Sequence, residues 1–243
     1  MIETIEQNGL HLPKRFADPN RNVMRDIRRL GQGCSLSDRQ YDNLHPRMRG
    51  GSFLTGTSAE VLYSSVATGT QLNTFTTEDN LQKTLPHVII PAGFFYAAQG
   101  GTGKCLKVRA LMRIGATATP TFTWTVRLLT STTWSAAGVA WSTAASTVAA
   151  TTLGPAILDF DIICRTVGTG GAANTTLAGM GFVAAGALVA TAGAVFSIPA
   201  SNTAFTNTID STVTQYLYIS IACSASSASN LAQLEMLKVY GEN

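Results

Sequence analysis

The chain has 243 residues, of which 45% are hydrophobic and only 13% charged, with a formal net charge of +3. Soluble proteins carry about 25% charged residues, so this scarcity points to a surface covered by copies of the chain or by a partner; the length suits one all-β domain of ordinary size plus an extension. The four cysteines at 34, 105, 164 and 223 have neither metal-ligand nor disulfide-framework spacing, and the longest apolar region, Leu177–Ile198, is broken by glycines and lacks a flanking positive cluster, which excludes a membrane helix.

Residues 1–56 read as a basic docking arm. Met1–Leu10 is acidic and polar, so no signal peptide is expected, and assembly in the cytoplasm is. Residues 1–50 hold nine Lys or Arg and six Asp or Glu, whereas residues 51–243 hold eight of each, so the whole positive excess lies in the arm. One short helix is expected near residues 19–30. Asp18 caps it, Pro19 suits the first turn, Val23, Ile27 and Leu30 fall at i, i+4 and i+7, and Gly31 stops it. Arg21, Arg25, Arg28 and Arg29 cover much of the remaining face. A helix of about three turns is marginal alone, so its folding should be coupled to docking. The interspersed Asp18, Asp26, Asp38 and Asp42 favour a protein partner over nucleic acid. The rest of the arm, His11–Phe16 and Leu36–Leu54, reads as extended or irregular chain.

The period changes to two from Glu60, within a second domain at 57–243. Val108, Ala110, Met112 and Ile114 alternate with Lys107, Arg109, Leu111 and Arg113. The same alternation runs through Phe122–Leu129, Leu158–Arg165 and Tyr216–Cys223. Such runs predict half-buried antiparallel strands. Shorter candidates lie at Glu60–Val66, Leu85–Ile90, Thr176–Ala184, Ala194–Ile198 and Ala232–Tyr240. Turn chemistry at Pro91–Gly93, Gly100–Gly103, Ala118–Pro120 and Gly168–Asn174 separates them. Eight or nine strands punctuated in this way predict an all-β fold, an antiparallel two-sheet sandwich of the jelly-roll kind. Cys164 and Cys223 fall on the apolar phase and read as buried thiols.

The segment Glu60–Asn243 carries sequence features beyond periodicity. These are the opening strand Glu60-Val-Leu-Tyr-Ser-Ser, the run LPHVIIPAG at 85–93, the strand Gly103-Lys104-Cys-Leu-Lys-Val-Arg-Ala, the strand Pro120-Thr-Phe-Thr-Trp-Thr-Val-Arg-Leu, and the close through Ser224–Asn230 to Val239-Tyr240-Gly241. With them the segment resembles β-sandwich domains of tailed-bacteriophage virion proteins, the class of capsid decoration proteins, head fibres and related appendages. The resemblance implies a jelly-roll-like sandwich, often trimeric, on the outside of a virion.

Chemistry-bearing candidates are few. Gly100-Gly-Thr-Gly-Lys104 lacks the first glycine of a phosphate loop and the hydroxyl after its lysine, so a hairpin turn is the expected reading. Asp159 and Asp161 share one strand face. That geometry suits part of a Ca²⁺ site or a glycosidase acid and base, but the favoured reading is a solvated or interface face, paired to Arg127 or Arg165. His11, His45 and His87 are scattered, with no informative partner spacing for a triad. Trp124 reads as core, while Trp134 and Trp141 are candidates to stack on a glycan or a neighbouring subunit, with core or subunit contact the favoured reading. No metal or cofactor is expected. The reading is a non-enzymatic virion component whose arm docks to a major capsid or other virion protein and whose β domain forms a homotrimer. The alternative is a receptor- or glycan-binding tail or fibre appendage.

Overall fold

The structure, a computed structural model, describes residues 59–95, 104–167, 174–185, 195–200 and 204–242, together with the backbone of 4–7 and 10–13. The helix expected near 19–30 lies outside the described residues. By its contacts the chain divides between Ser58 and Ala59 into two units. In the first, β1 (Thr4–Gln7) and β2 (Leu10–Pro13) pair antiparallel, with Gln7 opposite Leu10. The two intervening residues are Asn8 and Gly9, the dipeptide most strongly associated with two-residue hairpins. β1 lies before His11, where extended chain is expected to begin.

The second unit is all-β. Its strands are β3 (Ala59–Ser65), β4 (Leu72–Asn73), β5 (Asp79–Asn80), β6 (Val88–Ile90), β7 (Cys105–Ala116), β8 (Thr121–Leu129), β9 (Val139–Ser142) and β10 (Ser146–Thr147). They continue with β11 (Thr151–Val167), β12 (Thr175–Ala184), β13 (Val195–Ile198), β14 (Thr206–Ile209), β15 (Gln215–Cys223) and β16 (Leu231–Glu242). The excess over the eight or nine expected consists of short strands such as β4, β5 and β10, two residues each. Two residues cannot display a period of two, so nothing in the sequence marks them.

Among the described residues of this unit all pairings are antiparallel and fall into two sheets. The large sheet runs β13-β12-β11-β7-β16-β3, and the small sheet runs β10-β8-β15-β5, with β6 also on β15 and β9 on β8. With β12–β14 set aside as an insertion that widens the large sheet, the first, last, third and sixth elements lie side by side in one sheet. The second, seventh, fourth and fifth lie in the other. That order is the double Greek-key wrapping of a jelly roll. β6 belongs to the small sheet and β7 to the large one; Gly100–Gly103, expected as a hairpin turn, lie outside the described residues.

The apolar phases form the core. Leu106, Val108 and Ala110 of β7 and Leu158, Phe160 and Ile162 of β11 are buried opposite Phe122, Trp124 and Val126 of β8 and Leu217, Ile219 and Ile221 of β15. Strand side chains alternate between faces, so the same register that buries these residues sends their neighbours outward. Cys164 and Cys223 are buried as expected, and burial raises both thiols above their ordinary range.

Candidate functional site: the outer faces of the sandwich

At the centre of the small sheet the outward positions of β8 and β15 are not at the surface, although Ile89 on the β6 edge is 51% exposed. Thr125 is 2% exposed, Arg127 6%, Tyr218 1% and Ser220 0%. Arg127 donates from Nε to Glu78 Oε1 (3.1 Å) and from Nη2 to Glu78 Oε2 (2.7 Å), a two-point contact, and from Nη1 to the Ala137 carbonyl (2.9 Å). Ser220 Oγ donates to the same Glu78 Oε1, and Thr125 shares a hydroxyl contact of 2.8 Å with Ser142. Arg127 was expected beside Asp159 or Asp161. Its strand instead belongs to the opposite sheet, and its partner comes from the segment before β5. A buried guanidinium needs such a fork of acceptors, because an unpaired charge out of water is costly.

The loop after β8 closes the rest of this face. Trp134 is half-buried, its ring 5.5 Å from that of Tyr218 at 63°. The Tyr218 hydroxyl donates to the Thr132 carbonyl at 2.8 Å, and burial, with Tyr216 nearby, raises that phenol. His87 stands edge-on to the rings of Tyr216 and Tyr218. Trp141, for which a glycan contact was the alternative to core or subunit contact, is 1% exposed and lies in the core. Its indole N–H donates to the Phe205 carbonyl at 2.9 Å, and its ring lies 5.7 Å from Phe160. The space for it exists because position 179 is glycine: a Cβ there would stand 2.5 Å from Phe160 Cζ and 2.6 Å from Trp141 Cε2. The glycines at 179 and 181 inside an apolar strand were the sequence signal for a large ring opposite.

A cleft of about 370 Å³ opens between the 128–139 segment and β14–β15, lined among others by Ser131, Thr133, Ser135, Asp210 and Gln215. Its described lining is rich in hydroxyls and carries no aromatic ring on which a sugar would stack.

Among the described residues the large sheet's outer face is open, and its register assembles three rows from strands far apart in sequence. The first row is wholly apolar: Val195, Ala184, Ile157, Leu111 and Met236 on β13, β12, β11, β7 and β16. The second runs Phe182, Asp159, Arg109, Lys238, and the third Met180, Asp161, Lys107, Tyr240. Phe182 is 41% exposed, Met180 47% and Val195 62%. The aspartates therefore form an acidic column on β11 beside a basic column on β7. Among the described residues the ion pairs join Lys83 to Asp79, Lys104 to Glu60, Arg113 to Glu235, and Arg127 to Glu78, and none of them uses Asp159, Asp161, Lys107, Arg109 or Lys238. Burial raises the Asp161 carboxyl, which Lys107 partly offsets and Asp159 and Glu242 reinforce.

Other candidates find quieter roles. Among the described residues no three His, Cys, Asp or Glu side chains gather as a metal would require. Lys104 is committed to Glu60 (3.5 Å) and to the face of the Phe94 ring (4.9 Å). The Cys105 thiol is pushed up to about 11 by burial and by Asp161 and Glu242, which removes the nucleophilic thiolate at neutral pH. Arg21, Val23, Arg25, Ile27, Arg28, Arg29 and Leu30 lie outside the described residues.

The chain matches no protein-family model and no curated protein. Among solved structures it is similar to peanut lectin in complex with a nine-residue peptide, at 8% identity and a TM-score of 0.33, over 79% of this chain and 93% of that one. It is also similar to the CBM2 module of the evolved Dit protein of Lactobacillus casei BL23 phage J-1, at 11% identity and a TM-score of 0.29, over 77% of this chain and 97% of the other.

Proposed function

We propose that this chain is a non-enzymatic structural component of a bacteriophage virion, decorating or extending from the particle surface. In this reading residues 1–56 dock to a major capsid or other virion protein, Arg21, Arg25, Arg28 and Arg29 set the register, and Val23, Ile27 and Leu30 supply the buried contact. The β domain associates as a homotrimer, and linking several weakly docking arms multiplies the apparent affinity by orders of magnitude. The observation that carries the reading is the open outer face of the large sheet. Apolar rows with unspent charges, on a chain of such low charge, are what assembly surfaces require. The resemblance of its strand sequences to virion sandwich domains supplies the setting.

The test is composition and truncation. Purified particles of the phage encoding this chain should contain it, and a chain lacking residues 1–56 should no longer join them. Particles without the chain, or full retention of the truncated form, would overturn the proposal. Binding to host envelope polysaccharide in place of particles would promote the appendage reading.

A further inference from the structure

From the outer face of the large sheet we infer a second contact: two copies of this chain pack large sheet against large sheet about a twofold axis that runs parallel to the strands, between β11 and β7. The inference goes beyond the proposed threefold association and takes from that reading only the premise that the chain assembles. The main path of the sheet has six strands, β13-β12-β11-β7-β16-β3, and its midline falls between β11 and β7. A twofold along that midline lays β11 of one copy over β7 of the other and β12 over β16, while each row stays over its own counterpart.

The chemistry then matches row by row. Ile157 meets Leu111 in the apolar row, Asp159 meets Arg109 in the next, and Asp161 meets Lys107 in the third, each pair being register partners within one copy. Further out, Met180 lies over Tyr240, and Phe182 over Lys238, a ring beneath a cation. Each contact occurs twice, as an isologous interface demands. Sheets packed face to face stand about 10 Å apart with strands about 30° from parallel, which leaves the central columns in reach of one another. A surface with acid on one side of its midline and base on the other, at equal heights, is complementary to itself. A chain carrying both this contact and a threefold one would tie one trimer to the next.

The test uses the full-length chain and charge reversal. Wild-type protein at micromolar concentration should have a native mass that is an even multiple of the chain. Asp159→Arg alone and Arg109→Asp alone should each halve that mass, with pairing weakened by about 100-fold or more. An equimolar mixture of the two variants should restore it, because position 159 of each then meets an opposite charge at position 109 of the other. A purely internal role of either residue cannot produce rescue by mixing. Far-ultraviolet circular dichroism checks that both variants are folded, and Phe182→Ser serves as an uncharged second variant that should also halve the mass. An odd or monomeric wild type, reversals without effect, or folded variants that fail to combine would each overturn the inference. Absence of the chain from particles would remove the virion proposal and leave this result standing.

Discussion

The two outer faces of the sandwich are built from strands of the same kind, yet one is closed and the other open. On the small sheet, Thr125, Arg127, Tyr218 and Ser220 point away from the core and are still buried. The chain folds over them from both sides, bringing Glu78 to the guanidinium and Trp134 to the phenol. On the large sheet, Asp159, Asp161, Arg109 and Lys107 stand in neighbouring columns, and among the described residues no ion pair engages them. Charge on the first face is satisfied internally and serves stability. Charge on the second enters no ion pair among the described residues. Polar residues on a strand therefore do not by themselves mark a solvated face.

The comparison can be broken most forcefully at Glu78. Glu78→Ala strands the Arg127 guanidinium in a buried site and should cost about 3–5 kcal/mol of folding stability, read by urea denaturation. Asp159→Ala, on the open face, should change the stability of the dilute protein by less than about 0.5 kcal/mol. Equal losses would show that the two faces are not different in kind.

A smaller effect is expected at the joint between core and insertion. Gly179→Ala pushes a methyl against Trp141 and Phe160 and should cost about 1–3 kcal/mol through overpacking, measured as a lowered Tm. The size of the loss reports how firmly β12 is seated on the jelly-roll frame. The closure of the small sheet is probed at Tyr218: Tyr218→Phe removes the bond to the Thr132 carbonyl and should cost about 1 kcal/mol. It should also red-shift Trp134 emission as the loop loosens, since Trp124 and Trp141 are fully buried. An unshifted spectrum would mean that the loop is held elsewhere.

The smallest effect concerns pH on the open face. Burial, before Asp159 and Glu242, raises the Asp161 carboxyl above its ordinary value of 3.8. A carboxyl raised in the folded state binds its proton more tightly there than in the unfolded chain. Its contribution therefore favours folding at acid pH and is lost as pH rises through the raised value. Asp161→Asn should remove that component, so the Tm of dilute variant and wild type should converge at the acid end and the variant should be the more stable at neutral pH. A variant less stable at neutral pH would show that Lys107 outweighs burial.

The sequence alone determined the strands β7, β8, β11 and β15, their buried phases and the all-β sandwich, because alternation is a local property of the chain. It also held the signals for the β1–β2 hairpin, in Asn8-Gly9, and for a large ring over β12, in Gly179 and Gly181. Only the tertiary structure decided which sheet each strand joins, and everything that follows from it. Arg127 meets Glu78 across 49 positions, Trp141 goes inside against Phe160, and the two-residue strands exist only because a longer neighbour pairs with them. The open face is the clearest case: its rows draw on β12, β11, β7 and β16, and cross-strand register, which no local pattern encodes, places Asp159 beside Arg109 and Phe182 beside Asp159.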